Sequence, residues 1–174
     1  MGERIALVRP PSSRMADGIV TYVDRIPADA ALAARQHERY VAALADSDWG
    51  IREVAPADDL PDSAFVEDTV VVLGDLAVLH LKSAVTALPD GRIVGSDPSL
   101  VDDASLPALQ QMPEEGGSHV VPLGGRAVLM AESAPRSAEL LDEWGFDVVT
   151  VDISEFEKLE GCVTCLSVLV DLVT

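Results

Sequence analysis

Three short segments carry side chains whose types and spacing could do chemistry. The first, Leu60–Asp68, has the sequence LPDSAFVED and holds three carboxylates. The second is the histidine-containing HLKS at His80–Ser83, and the third is EGCVTC at Glu160–Cys165. Together they offer a thiol nucleophile, a histidine that can transfer protons, and carboxylates that can bind a cation.

Each segment also has a purely structural interpretation. A cysteine in an apolar run, such as Cys165, commonly serves as a small buried hydrophobe. His80 at a predicted strand end suits a surface position, and the acidic residues before a valine run suit a solvated loop. His37 and His119 have no chemical partners nearby in the sequence, so we treat both as structural. Residue types alone leave these alternatives open.

The two cysteines of the chain, Cys162 and Cys165, have the spacing C-x-x-C. A redox pair of this kind usually opens a helix after a strand. Here the run from Gly161 to Val170 is β-branched and alternating, which favours a strand. On a strand, residues 162 and 165 point to opposite faces. We therefore expect neither a disulfide nor a shared metal between them, and a reducing cytoplasmic location.

Charge limits the partners of the chain. Its 174 residues carry a net charge of −18. The first 52 residues are balanced, with seven basic and seven acidic side chains, whereas residues 53–174 hold five basic and 23 acidic ones. Such a surface repels phosphate backbones and attracts small cations, so we expect no nucleic acid partner. The uncharged run Gly161–Val170 is too short for a membrane span, so no membrane association is expected either.

The pattern of apolar residues and turns predicts the elements that position these segments. The clearest is a helix over Asp29–Ala45, with Asp29 as its cap and a side-chain series at every fourth residue made of Leu32, Gln36, Tyr40 and Leu44. Two further helices are expected at Leu100–Met112 and Ser137–Trp144. Strands are expected at Arg4–Arg9, Ile51–Ala55, Phe65–Val72, Leu76–His80, Ala84–Leu88, Arg92–Val94, His119–Leu123, Arg126–Ala131, Phe146–Val151 and Cys162–Val170.

This order indicates an α/β protein with about three ββαβ units. The turns Pro89-Asp90-Gly91 and Gly124-Gly125 are typical of hairpins. In a circular array the first strand, Arg4–Arg9, would pair with the last, Cys162–Val170. No dinucleotide fingerprint, phosphate-binding loop or zinc quartet is present, so we expect no cofactor and no metal.

Several of these motifs together resemble one family. The LVRPP near Arg9, the ARQHERY of the first helix, the LPDxxFVED segment, HLKS and the tail FEKLEGxxTCxSV are similar to the dimethylarginine dimethylaminohydrolases. That family belongs to the guanidino-group-modifying (pentein) superfamily, whose fold is a five-bladed α/β propeller of ββαβ modules. The match extends in order over nearly the whole chain.

The resemblance implies roles for individual residues. Cys165 would be the nucleophile and His80 the general acid/base. Asp62, Phe65, Glu67 and Asp68 would line the substrate pocket, with the carboxylates binding the guanidinium group. The implied reaction is hydrolysis of a methylated arginine to citrulline and an amine, with no cofactor.

The chain also departs from the family pattern. Val78-Leu79 runs directly into His80, where the family has a long intervening stretch. The TRPG, GGD and RTN segments of the family are absent, and with them one catalytic carboxylate and the arginines that bind the substrate's α-carboxylate. Arg9 and Arg14 are the remaining candidates for that role, and no motif places either of them.

We therefore expect a single domain over residues 1–174, with an apparent splice between Leu79 and His80 and about three repeats instead of five. A join between equivalent hairpin positions indicates engineering. Two functions compete. Either the chain retains cysteine-dependent chemistry on a small cationic guanidino compound, or it is a catalytically silent propeller scaffold. An incomplete ring would expose sheet edges, which favours a homo-oligomer.

Overall fold

The computed structural model describes residues 3–67, 85–97 and 109–172. The chain forms two compact units. Unit 1 combines both chain ends, Met1–Val72 and Asp152–Thr174, and unit 2 is the central segment Leu73–Val151. The cysteine segment and the described part of the acidic segment both belong to unit 1.

Unit 1 is built on a three-stranded sheet. Its central strand β1 (Glu3–Val8) runs parallel to β2 (Gly50–Glu53) and antiparallel to β9 (Ser167–Leu172). Ile5 lies opposite Gly50 on one side and Val170 on the other. The first and last strands therefore pair in one sheet, which confirms the predicted closure of the chain ends.

Helix α1 (Ala30–Asp46) connects β1 and β2 in unit 1. It begins where predicted because the Asp29 carboxylate accepts hydrogen bonds from the first-turn N–H groups of Ala31 and Leu32, at 2.9 and 3.0 Å. A capping side chain of this kind satisfies donors that have no partner within the helix. The buried face of the helix consists of Ala33, Gln36, His37, Tyr40 and Leu44. A short helix α3 (Ser154–Glu157) packs against it.

Unit 2 contains two further three-stranded sheets. The first consists of β3 (Val85–Ala87), β4 (Ile93–Gly95) and β5 (Leu109–Gln111). Strand β3 is antiparallel to β4, and β4 is parallel to β5. The predicted turn at Pro89–Gly91 is confirmed, since Gly91 has the positive φ (+88°) that a tight hairpin favours.

The second sheet of unit 2 consists of β6 (Val121–Gly124), β7 (Ala127–Ala131) and β8 (Asp147–Val151). Helix α2 (Pro135–Glu143) connects β7 to β8. Its buried face joins an apolar core cluster made of Leu88, Val94, Met112, Val120, Val128, Met130, Ala134, Leu141 and Phe146.

All three sheets have one pattern of strand pairing. In each, the middle strand is antiparallel to one neighbour and parallel to the other. The antiparallel neighbours of β1, β4 and β7 are β9, β3 and β6, and the parallel neighbours are β2, β5 and β8. A helix lies between the parallel strands in the modules of β1 and β7, and the corresponding segment after β4, residues 98–108, lies outside the described residues. The described part of the chain thus repeats a strand–strand–helix–strand module, as predicted.

Three local predictions need comment. The helix expected over Leu100–Met112 is wrong at its end, since residues 109–111 form strand β5, paired in parallel with β4. Phe65 and Val66 are not in a strand, and the rest of the hairpin predicted from Phe65 to His80 lies outside the described residues. The strand expected from Cys162 begins only at Ser167. None of the described helices is long and apolar enough to cross a membrane.

Candidate active site

A single turn before strand β9 carries both cysteines. A 3-10 turn covers Val163–Leu166, and the N–H of Cys165 donates to the carbonyl of Cys162 at 3.1 Å. The two sulfur atoms lie 3.2 Å apart, both residues are buried, and no disulfide joins them. The prediction that they lie on a strand and point to opposite faces is wrong, because a 3-10 turn places side chains i and i+3 on the same side.

Tyr40 of helix α1 binds this turn through hydrogen bonds of its hydroxyl group. Its hydroxyl donates to the carbonyl of Val163 at 3.0 Å and shares a 2.7 Å hydrogen bond with the hydroxyl of Ser167. Burial raises the pKa of Tyr40, so the phenol stays neutral and remains a donor. The sequence predicted Tyr40 only as a member of the series at every fourth residue of the helix. A fully buried phenol needs a hydrogen-bond partner, and that requirement is the signal that could have indicated its role.

The acidic segment and the cysteine segment are in contact through Phe65. The ring of Phe65 packs against Phe156, with ring centroids 6.3 Å apart and an interplanar angle of 71°. It also covers Gly161 so closely that a Cβ at that position would collide with the ring. Residue 161 immediately precedes Cys162, so Phe65 brings the LPDSAFVED segment against the chain that leads into the cysteine turn.

Asp62 binds the loop that follows strand β1. Its carboxylate accepts from the N–H of Ile19 at 3.2 and 3.1 Å, and a Cβ at Gly18 would collide with the same carboxylate. Glu67, which ends the described part of the segment, is partly buried. The Asp62 carboxylate thus lies against the backbone at residues 18 and 19, and the missing Cβ of Gly18 leaves room for it.

Glu160, at the start of the cysteine segment, binds the same loop. One carboxylate oxygen accepts from the N–H groups of Thr21 at 2.9 Å, Val23 at 3.1 Å and Tyr22. These backbone donors, that of Tyr22 foremost, lower the pKa of Glu160. Hydrogen bonds from three consecutive N–H groups therefore fix the loop on the cysteine segment, and no local pattern in these residues predicts that arrangement.

The arginines considered for an α-carboxylate are engaged elsewhere. Arg9 donates to the carbonyls of Ala55 and Ser63, each at 3.1 Å. Arg14 pairs with Asp17 at 3.2 Å, and both side chains are more than half exposed. Arg9 therefore ties strand β1 to the acidic segment, and Arg14 forms a local surface pair.

Two of the predicted site residues, Asp68 and His80, lie outside the described residues, as does the predicted splice at Leu79. The approach of His80 to Cys165 consequently stays a prediction. Within residues 3–67, 85–97 and 109–172, no group of three or more histidine, cysteine or acidic side chains could hold a metal ion.

Comparison with known proteins identifies the family of this chain. No protein-family profile matches the chain. The N(G),N(G)-dimethylarginine dimethylaminohydrolase of Streptomyces coelicolor is 40% identical over 252 residues, covering 97% of this chain and 97% of that protein. The chain belongs to the dimethylarginine dimethylaminohydrolases. The motifs that suggested the family therefore identified it correctly.

Solved structures agree on the fold. A dimethylarginine dimethylaminohydrolase variant in adduct with S-methyl-L-thiocitrulline has a TM-score of 0.84 at 19% identity, covering 98% of this chain and 100% of that one. The Pseudomonas aeruginosa enzyme complexed with citrulline has a TM-score of 0.83, with the same identity and coverage. The N-terminal domain of a cyanobacterial arginine dihydrolase has a TM-score of 0.81 at 15% identity, with 98% of each chain covered. The predicted pentein-type α/β propeller-like fold class is confirmed.

Proposed function

We propose that this chain hydrolyses a guanidino compound, with Cys165 as nucleophile and His80 as general acid/base. Asp62, Glu67 and Asp68 would bind the guanidinium cation through charge-assisted hydrogen bonds. The observation that best supports this is the contact within unit 1 between the acidic segment and the cysteine segment, made by Phe65 over Gly161. The family relationship supplies the chemistry that these residue types fit.

The reaction would proceed in two steps. The Cys165 thiolate attacks the guanidinium carbon, and the tetrahedral adduct expels an amine that takes a proton from the imidazolium of His80. Water then attacks the resulting thiouronium carbon, the carbon–sulfur bond breaks, and the ureido product leaves with the thiolate restored. The carboxylates would hold the cation in place for attack. A reducing cytoplasm would keep the thiol available.

The likeness to the Streptomyces coelicolor enzyme also supports an internal deletion. The alignment extends over 252 residues, whereas this chain has 174 residues in all. This difference supports the proposal that a stretch of that relative has no counterpart here, in keeping with the missing TRPG, GGD and RTN segments. The arginines that would bind an α-carboxylate belong to those segments, and Arg9 is engaged by the carbonyls of Ala55 and Ser63.

The missing arginines set the expected substrate preference. Loss of one charged anchor weakens binding by about 2–5 kcal/mol, or roughly one and a half to nearly four decades in affinity. The net charge of −18 adds repulsion for a substrate carboxylate. We therefore propose that residual turnover favours a simple alkylguanidine over dimethylarginine.

Turnover of both compounds, measured as release of the ureido product, tests this proposal. We expect slow hydrolysis of an alkylguanidine that vanishes in Cys165→Ser and persists in Cys162→Ser. Efficient citrulline release from dimethylarginine at low substrate concentration would show that the deleted region is dispensable for binding the α-carboxylate, and would overturn the proposed preference.

The alternative function is a catalytically silent, engineered scaffold. The absent catalytic carboxylate favours it, and alkylation distinguishes it from the hydrolase. In a functional active site, the cationic chloroacetamidine should alkylate Cys165 much faster than the neutral chloroacetamide does. In a silent scaffold, both reagents should alkylate Cys165 at equal, slow rates. Mass in solution at several concentrations bears on the same choice, because a dimer could supply missing modules in trans.

A further inference from the structure

The two sulfur atoms of the cysteine turn are close enough to react with each other. Cys162 Sγ and Cys165 Sγ lie 3.2 Å apart, compared with about 2.05 Å for a disulfide bond. The hydrogen bond from the Cys165 N–H to the Cys162 carbonyl closes a turn between them. Such a turn keeps its first and fourth Cα atoms within about 7 Å, which overlaps the Cα separations of disulfides, about 4.4–6.8 Å. Bond formation thus requires little movement of the backbone.

Neighbouring contacts maintain this approach. The Val163 carbonyl inside the turn and the Ser167 hydroxyl just after it are both bound by Tyr40, whose hydroxyl is fully buried. The hydroxyl of Thr164 lies 3.1 Å from Cys162 Sγ. The turn is therefore anchored on both sides of Cys165, and its two sulfurs stay adjacent without any change elsewhere in unit 1.

We propose that Cys162 and Cys165 form a reversible intramolecular disulfide when a small peroxide oxidises the protein. The disulfide would switch off hydrolysis, because Cys165 is the nucleophile under the proposed function. This loss of hydrolysis rests on the proposed function, whereas the formation of the disulfide does not. Cys162 would also protect Cys165 from irreversible oxidation, since the neighbouring thiol consumes the first oxidation product.

The chemistry balances with hydrogen peroxide as oxidant. One thiolate attacks a peroxide oxygen, the O–O bond breaks, and a sulfenic acid and hydroxide form; the hydroxide takes up a proton to give water. The second thiol then attacks the sulfenic sulfur, the S–S bond forms, and the S–O bond breaks with release of a second water. Two thiols lose two electrons in total, and one peroxide is reduced to two waters.

Burial favours a small oxidant. Cys162 is 7% exposed and Cys165 5% exposed, so peroxide, which is close to water in size, reaches either sulfur more readily than a tripeptide such as glutathione does. We therefore expect the internal disulfide and not a mixed disulfide with an external thiol as the product.

Intact-mass measurement after limited peroxide treatment tests the disulfide directly. We expect the wild-type chain to become about 2 Da lighter, to lose both alkylatable thiols, and to recover them with dithiothreitol. Cys162→Ser should instead gain oxygen, about 16 or 32 Da, and the larger adduct should resist the reductant. A wild-type chain that accumulates oxygen adducts as readily as Cys162→Ser would overturn the proposal.

A second probe reports sulfur proximity without oxidation. A trivalent arsenical such as phenylarsine oxide bridges two adjacent thiols, so wild type should retain it against excess monothiol, whereas Cys162→Ser and Cys165→Ser should release it. Loss of the arsenical from wild type would also overturn the proposal. Neither readout depends on turnover, so a disulfide in a chain that hydrolyses no guanidine would refute only the proposed function.

Discussion

The interiors of the two units differ in how many polar side chains they bury. Among the described residues, six of the eight buried polar side chains lie in unit 1: Ser12, Gln36, His37, Ser63, Glu155 and Ser167. Unit 2 has only Ser118 and Ser137 in this class, beside its apolar core cluster. Unit 1 thus has more buried polar side chains than unit 2, and it uses several of them to fix loops and a turn.

The polar contacts of unit 1 join segments that are distant in sequence. The carboxylate of Glu155, which pairs with Lys158 at 2.7 Å, also accepts from the N–H of Asp29 at the start of helix α1. Gln36 of that helix exchanges hydrogen bonds with Ser154 and Glu155. Groups of this kind are costly when left unpaired in the interior, so they favour one arrangement over close alternatives. Under the proposed function unit 1 would have to place a nucleophile beside carboxylates, and such selectivity would favour that arrangement.

Each unit contains one tryptophan, Trp49 in unit 1 and Trp144 in unit 2. Each indole stacks with an arginine of its own unit: Arg4 lies 4.0 Å from the ring centroid of Trp49, and Arg92 lies 4.7 Å from that of Trp144. Variants with a single tryptophan can therefore report the unfolding of the two units separately.

Gly161→Ala should have the largest effect on stability. The new methyl group would collide with the ring of Phe65 and lie 3.1 Å from the carbonyl of Phe156, in the contact between the acidic and cysteine segments. We expect a loss of about 3 kcal/mol in the free energy of unfolding, reported by Trp49 in urea denaturation. Gly116→Ala in unit 2, reported by Trp144, is the control, because its nearest neighbours are at 3.3 and 3.4 Å. Equal losses of stability in the two variants would contradict the close contact of Phe65 with Gly161.

A pH titration should distinguish the units through His37. Burial lowers the pKa of His37 from 6.5 to about 4, so the folded unit holds it neutral. The unfolded chain takes up this proton below about pH 6.5, so the stability is fully present at pH 8 and is lost as the pH falls towards 4. We expect a loss of about 2 kcal/mol between pH 8 and pH 5.

Replacing the imidazole provides the control for this titration. His37→Leu should flatten the pH dependence reported by Trp49 over that range and leave the signal of Trp144 unchanged. If the variant keeps the wild-type slope, a different group titrates in unit 1, and the burial of a neutral histidine is not the cause.

Tyr40→Phe should destabilise unit 1 by about 1.5 kcal/mol. The change leaves the Val163 carbonyl and the Ser167 hydroxyl without their shared buried partner, while the ring continues to fill its space. It should also change the rate of Cys165 alkylation, because the turn loses its support. Tyr22→Phe is the matched control, since Tyr22 is 91% exposed. Unaltered alkylation in Tyr40→Phe would show that the turn does not depend on the phenol.

The elements predicted from sequence were those whose causes are local. Asp29 caps helix α1 through hydrogen bonds to residues at most three positions away, and Gly91 supplies the positive φ of the hairpin turn between β3 and β4. The pairing of the chain ends followed from the modular order of the elements. The cap and the turn need no knowledge of distant contacts, whereas the family and its pentein-type fold class were predicted from the resemblance of several motifs.

The cysteine turn could not be predicted in the same way. Its β-branched, alternating sequence favours a strand, and that pattern does continue into β9. What accompanies the 3-10 turn is a set of non-local contacts: Tyr40 lies 123 residues from Val163, and Phe65 packs on Gly161 from the acidic segment. Residues of strand β5 were likewise assigned to a helix, because their pairing with strand β4 is a non-local contact that a local pattern does not show.

Glu114 provides the smallest and most local test, and it concerns unit 2. Residue 134 provides no side-chain cap for helix α2, and the carboxylate of Glu114 takes that role by accepting from the N–H groups of Arg136 and Ser137, at 3.2 and 2.7 Å. Burial alone would raise the pKa of Glu114, but the hydrogen bonds from Ser137 and Arg136 outweigh it and hold the pKa at about 2.

Glu114→Gln should therefore lower the stability of unit 2 by about 1 kcal/mol, the usual value of a helix cap, as reported by Trp144 at pH 7. In wild type this contribution is fully present above about pH 4.5 and lost as the pH falls towards 2, because protonation of the folded carboxyl removes it. The exposed neighbour Glu115→Gln serves as the control and should leave the unfolding curve unchanged. A Glu114→Gln variant as stable as that control would mean that packing alone holds helix α2, and the contrast between the units would then be sharper than the hydrogen bonds suggest.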